Sequence, residues 1–251
     1  MSFNLTFRSP NYSPRTKKIK YVVLHYTQMD FDEALKKLTD RKSNVSAHYF
    51  IKKNGEIFNL VDEEKVAWHA GKSSWFGEEA INNSSVGIEL DNSGFEEFSS
   101  ALIDACLFLC KTLKIKYTIP DCNFIGHSDI APNRKIDPGI YFQWKNFARH
   151  GFGIWFDDTV TILPQEKILH KFGDKNSQIK YLQESLKKLG YDIKITGEFD
   201  LQTNFVVRSF QSKFYPRLFK TQGQKLCNDN NTKYGWGENS RNILNSLLKL
   251  Y

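Results

Sequence analysis

The run IKYVVLHY at residues 19–26 constrains this chain more than any other stretch. It is β-branched and aromatic and reads as a buried central strand, which demands a sheet around it and helices to cover that sheet. The following segments supply both. Asp30 followed by Glu33 makes a capping box, and Phe31, Ala34, Leu35 and Leu38 behind it fall at helical spacing, predicting a short amphipathic helix over 31–39. Residues 45–52 and 56–61 flank Lys53-Asn54-Gly55, a hairpin signal. Residues 85–90 predict the next strand, and Phe98, Leu102, Ala105, Leu109 and Leu113 mark a long helix packed on the sheet. A short apolar run at 122–126 reads as a strand feeding a loop. Residues 140–149 then form a closing helix with Gly151 and Gly153 past its end. The fold class is α/β, a central β-sheet flanked by helices.

The pattern changes across 151–173, which lacks a consistent period and carries Gly and Pro punctuation. Beyond it Ile179, Leu182, Leu186 and Leu189 step by three and four residues, with Gly190 as helix stop. Asp200 can cap a second helix carrying Val207, Phe210 and Phe214, and a last helix over 240–250 shows Ile243, Leu244, Leu247 and Leu248. The expected organisation is an extended, Pro-, Ser- and Asn-rich arm at 1–18 and a first domain at 19–153. A linker at 154–173 and a small all-α three-helix domain at 174–251 follow.

The net charge of +7 is spread thinly along helices. No basic patch of the kind that nucleic acid requires is evident, whereas a mildly basic surface suits other polyanions. Of the four cysteines, 106, 110, 122 and 227, the first two share a helical face. No histidine or further cysteine pair completes a metal site near them, so core packing is the expected role. The opening residues show no continuous apolar stretch of a signal peptide, and no run approaches the length of a membrane span.

The chemistry concentrates in 122–139, CNFIGHSDIAPNRKIDPG, which presents His127, Asp129, Arg134, Lys135 and Asp137 on a loop stiffened by Pro132 and Pro138. His127 and Asp137 are competent zinc ligands and leave room for a third ligand and a water. The same two residues also read as a histidine capping a strand and an aspartate in an Asx-turn. His25, ending its strand, is either a packed histidine or the natural third ligand. His48 alternates with apolar positions and reads as a core histidine or one standing behind a ligand. Residues 66–83 form a polar loop with Trp68, His69, Trp75 and Phe76, suited to sugar or peptide contact or to pinning the loop. Glu89 lies in the apolar run VGIEL, where an unpaired carboxylate is costly, so a metal-bound water or a lysine is expected beside it.

The segment GHSDIAPNRKIDPG resembles the signature of the zinc-dependent N-acetylmuramoyl-L-alanine amidases of the type-2 family. VVLHYT at 22–27, SAHYFI at 46–51, NGEI at 54–57, AWHAG at 67–71 and NxSSVGIE at 82–89 complete the pattern in order. The resemblance covers roughly residues 20–150 and implies a mixed central sheet, as in the peptidoglycan-recognition proteins. It implies cleavage of the amide between the lactyl group of N-acetylmuramic acid, ordinary or 1,6-anhydro, and the L-alanine of the stem peptide. The tail, LQESLKKLGY, TGEFD and VVRSFQSKF, resembles the small helical peptidoglycan-binding domains that accompany wall hydrolases. A helical cap stabilising the first domain is the alternative.

Carried over residue by residue, the resemblance implies one Zn²⁺ per chain held by His25, His127 and Asp137. It gives Glu89 as the carboxylate that handles the proton and Lys135 as the stabiliser of the tetrahedral intermediate. Trp68, His69, Lys72, Asn82 and Arg134 are the substrate-binding candidates. One departure concerns the stem: relatives that bind diaminopimelate carry an arginine where this chain has Ala80, and Lys72 is the nearby substitute. The expected partners are peptidoglycan or soluble muropeptides, with the protein a monomer. The two-domain resemblance points to the cell envelope or secretion, and the missing leader to the cytosol. A binding-only recognition protein and a zinc peptidase acting within the stem are the rival readings.

Overall fold

Strand formation starts where the sequence is most β-branched. The computed structural model describes residues 3–221 and 233–250; Cys227 lies outside them. In chain order the elements are β1 (Tyr12–Pro14), β2 (Tyr21–Tyr26), α1 (Phe31–Thr39), β3 (Tyr49–Ile51), β4 (Ile57–Asn59), β5 (Lys65–Ala67), β6 (Ser74–Trp75), β7 (Glu78–Glu79) and β8 (Ser85–Leu90). They continue with α2 (Ser100–Tyr117), β9 (Phe124–Gly126), α3 (His127–Ile130), α4 (Trp144–Arg149) and β10 (Ile168–His170). The tail holds α5 (Ser177–Lys188), α6 (Leu201–Phe214), α7 (Arg217–Thr221), β11 (Trp236–Gly237) and α8 (Glu238–Leu247).

The central sheet runs β4-β3-β8-β2-β9. β2 is parallel to β8 and β9, β3 is parallel to β8, and β4 returns antiparallel to β3 through the Asn54-Gly55 turn. The sheet is therefore mixed. Alternation along the strands divides their side chains between two cores. Val22, Leu24, Val86, Ile88 and Leu90 pack with Leu102, Ala105, Cys106, Leu109 and Leu113 of α2. Truncating a buried leucine here, such as Leu109→Ala, costs about 2–5 kcal/mol. Cys106 and Cys110 are fully buried in that core, free of any disulfide.

The other face is where the tail belongs. Tyr21, Val23 and Ile125 share one continuous core with Ile179, Leu186, Val206, Val207 and Phe210 of the C-terminal helices. The stretch 154–173, expected as a linker, lies on this core, with Ile154, Trp155, Phe156, Val160 and Ile162 half-buried against it. It also supplies β10, which pairs with β11 and adds a two-stranded ribbon to the helical unit. Helix α6 is buried all round from Thr203 to Phe214, including Arg208 and Lys213. Its polar residues thus meet protein on every side.

The N-terminal arm is extended yet docked. β1 pairs antiparallel with β5, and Ser9 Oγ donates to the Leu38 carbonyl at 2.6 Å, closing the end of α1. That helix begins where its sequence says, with the Asp30 carboxylate accepting from the Glu33 amide at 2.9 Å. Among the described residues, no helix is long and apolar enough to cross a membrane.

Candidate active site and metal centre

Alternation along β2 puts His25 on the face of Tyr21 and Val23, turned away from α2. Directly beside it in register on β8 stands Glu89. The loop leaving β9 supplies the rest. His127 opens the short helix α3, and Asp137 ends the returning loop, its Oδ2 accepting within 3.0 Å of His127 Nδ1. His25 Nδ1 lies 2.9 Å from His127 Nδ1 and 3.0 Å from the same Asp137 oxygen. Among the described residues, this is the one group of three His, Cys, Asp or Glu donors close enough to hold a metal ion. All three side chains are buried.

The backs of both imidazoles are also held, which fixes their orientation. His25 Nε2 sits 3.0 Å from His69 Nδ1, His69 Nε2 lies 3.1 Å from Ser85 Oγ, and His127 Nε2 lies 3.2 Å from the Ala70 carbonyl. Burial and the neighbouring His127 push the His25 pKa down to about 4, so the ring stays neutral. Burial alone would raise Asp137, but neighbouring His127 and the hydrogen bonds from both histidines outweigh it and hold the carboxyl well below its ordinary value. Neutral imidazole and ionised carboxylate are the forms that ligate zinc.

Glu89 is the discordant group. Burial, and then the nearby Asp137, push its pKa up to about 8. Its Oε2 is buried with no hydrogen-bond partner, which native interiors rarely tolerate without a function or an ion. Glu89 lines a cleft of about 420 Å³ together with His25, His127, Asp137, Lys135, Lys37 and Trp68.

The remaining sequence candidates divide. Lys135 and Trp68 line the cleft, Trp68 half-buried with its indole donating to Ser13 Oγ at 3.2 Å. His69 also lines the cleft, 8% exposed, with its Nδ1 against His25 Nε2. Asn82 is turned inward, its Oδ1 accepting from the amides of His69 and Ala70 at 3.1 and 2.7 Å. Arg134 donates to the carbonyls of Ala70 and Lys72, clamping that loop onto the signature loop. Lys72 is exposed and borders a separate depression with Ala80, Arg134 and Asp192. Of the loop aromatics, Trp75 is buried, edge-on to Tyr191 at 5.1 Å, and only Phe76 stays exposed.

A family model described as N-acetylmuramoyl-L-alanine amidase matches residues 15–140, spanning every residue of this centre. The chain belongs to the N-acetylmuramoyl-L-alanine amidase family. A second model, described as a peptidoglycan binding domain, matches residues 175–217. The amidase AmiD of Escherichia coli K12 is 37% identical over 219 residues, covering 80% of this chain and 77% of AmiD. The 1,6-anhydro-N-acetylmuramyl-L-alanine amidase AmpD of the same organism is 41% identical over 103 residues, 41% of this chain and 56% of AmpD. A solved complex of E. coli AmiD with anhydro-N-acetylmuramic acid-L-Ala-D-γ-Glu-L-Lys superposes with a TM-score of 0.74 at 30% identity, covering 98% of this chain and 93% of that one. AmpDh3 of Pseudomonas aeruginosa with anhydromuramic pentapeptide gives 0.72 at 29% identity, covering 100% and 98%.

In this amidase two supporting residues escaped the sequence reading. Gly87 lies on the His25 face of β8, and a Cβ there would stand 2.3 Å from the His69 ring. The missing side chain is what admits His69 behind His25. Asp129 was visible in the loop but had no assigned partner; it is fully buried and bonded to the C-terminal helices. Nothing in the spacing of the tail announces that contact.

Proposed function

We propose that this chain hydrolyses the amide between the lactyl group of N-acetylmuramic acid and the L-alanine of a stem peptide, using one zinc ion held by His25, His127 and Asp137. The observation that carries this is the convergence of those three donors beside a buried Glu89 oxygen without a partner. A cation adjacent to an unpaired carboxylate accounts for both. When bound, zinc polarises the scissile carbonyl and lowers the pKa of a water.

The protein's own groups do the rest. Glu89, which the neighbouring cation would keep ionised against its burial, takes the proton of the attacking water at its free oxygen as the water oxygen bonds to the lactyl carbonyl carbon. It then passes that proton to the alanine nitrogen as the carbon–nitrogen bond breaks, leaving a carboxylate on the sugar and a free amine on the peptide. Lys135, on the rim of the cleft, offers positive charge to the oxyanion of the tetrahedral intermediate. Trp68 gives the cleft an apolar wall for the sugar or the lactyl methyl.

The 1,6-anhydro-muropeptide bound to AmiD and AmpDh3 is the substrate class we carry over, acting as a monomer. The lysine-ended ligand of AmiD supports a stem preference that does not need the arginine replaced here by Ala80. Its peptidoglycan-binding match makes the cell envelope the proposed place of action. The test is digestion of an anhydro-muropeptide by protein stripped with chelator and by the same protein reloaded with zinc. Free stem peptide beginning with L-alanine should appear only after reloading. Substrate returned intact by fully loaded protein would favour a binding-only protein. L-alanine left on the sugar would favour a peptidase.

A further inference from the structure

Helix α6 carries two basic residues that do not face water. Lys213 is 5% exposed and its Nζ lies 2.6 Å from Asp129 Oδ2, a carboxylate with no exposure at all. The ammonium also stands 4.1 Å over the Trp144 ring. The Tyr191 hydroxyl, just beyond α5, donates to the other carboxylate oxygen at 2.9 Å. Asp129 in turn accepts at 2.8 Å from the amide of Gly126, the residue immediately before His127. One turn earlier on α6, Arg208 donates to the carbonyls of Pro132 and Lys135, and Ser209 Oγ donates to the Ser128 carbonyl at 2.8 Å. The signature loop is therefore gripped from 128 to 135 by side chains of the tail, and Asp129 carries that grip to Gly126.

A peptidoglycan-binding module would need no such contacts. A buried ammonium and carboxylate are costly to desolvate and are retained only with good geometry and full hydrogen bonding. Here both Asp129 oxygens are occupied, and the one backbone amide they hold orients a candidate metal ligand. Outer partners of this kind govern ligand orientation.

We propose that α6 is a positioning element of the metal loop. Lys213 and Tyr191 fix Asp129, and Asp129 fixes the Gly126 amide from which His127 is presented. The C-terminal unit thereby sets metal affinity and turnover, whatever it contributes to wall contact. This rests on the reading of 126–137 as the zinc loop.

The test uses full-length protein in four forms: wild type, Lys213→Met, Asp129→Asn with Lys213→Met, and Tyr191→Phe. Zinc affinity is read by competition with a chromophoric chelator, and hydrogen exchange at 126–129 is read in metal-free protein. Lys213→Met strands a buried carboxylate, so zinc affinity should fall about 10–100-fold, with lower kcat, little change in KM and faster exchange at 126–129. The double variant removes both charges while the amide oxygen can still accept from Gly126, and should recover most of that loss. Tyr191→Phe removes one hydrogen bond and should cost about two- to tenfold in affinity; it decides the matter if Lys213→Met does not fold.

Unchanged zinc affinity and unchanged exchange in the folded variants would overturn the proposal. So would a lower melting temperature without any loss of affinity, which is what a merely stabilising helix gives. A wild type that binds no zinc sinks the zinc-amidase reading instead, and the metal-free exchange data then judge the positioning role alone.

Discussion

His25 and Glu89 are register partners on the parallel strands β2 and β8, so the first candidate metal ligand and the candidate proton carrier stand side by side on one face of the sheet. That adjacency places the candidate base next to a candidate metal ligand with no loop between them to flex. It is set by strand register, and a one-residue slip of either strand would turn its own member of the pair into the α2 core.

Glu89→Gln keeps the shape of the side chain and removes its proton chemistry. The variant should fold, hold zinc as the wild type does, and lose about 10²–10⁴-fold in kcat. Turnover and zinc content measured on the same preparation check this. Full activity in a zinc-loaded Glu89→Gln protein would move the base elsewhere.

Gly87→Ala adds one methyl group where the His69 ring lies 2.3 Å from an ideal Cβ. On an ordinary strand the change would be neutral or mildly favourable. Here it should displace His69, leave His25 Nε2 without its partner and weaken zinc binding about 10–100-fold. Chelator competition reads the effect, and wild-type affinity in Gly87→Ala would show that His69 does not hold His25.

Far from the site, Glu63 accepts from Tyr49 and Lys116 at 2.5 Å each and from Tyr117. Burial raises its pKa, but these three partners outweigh burial and leave it below the ordinary value. Its contribution to stability is therefore complete above the unfolded-state pKa of a glutamate and is lost as pH falls through the lower folded value. Glu63→Gln should cost about 1–3 kcal/mol near neutrality. In thermal melts from pH 7 down to pH 3, its gap to wild type should narrow only at the acid end. A gap independent of pH would mean that shape, and not charge, is what Glu63 supplies.

Much of this was legible in the residues. A 3.6-residue period with Asp30 as cap marks α1 over 31–39, and Asn54-Gly55 marks the hairpin, because both signals are local. His25 and His127 end apolar runs, Glu89 lies within one, and Asp137 stands on the loop beyond; the resemblance joins the four. What could not be read was contact between distant segments. Asn82, His69 and Arg134 carry the right chemistry for substrate, yet their hydrogen bonds run to the loop at 69–72 and to His25. Nothing local marks Lys213, because sequence period shows which residues share a face and not what that face meets. The irregular period of 154–173 likewise does not announce that Trp155 and Phe156 pack on the second core.

The proposed reaction is hydrolysis at the muramyl–alanine carbonyl. Its most direct measurement is digestion of a purified anhydro-muropeptide in water enriched in oxygen-18, with the products separated and weighed by mass spectrometry. One heavy oxygen should appear in the lactyl carboxylate of the released sugar, with an unlabelled stem peptide beginning with L-alanine. Heavy oxygen in a carboxylate of the stem, with L-alanine still joined to the sugar, would contradict it, as would intact substrate after incubation with fully zinc-loaded protein.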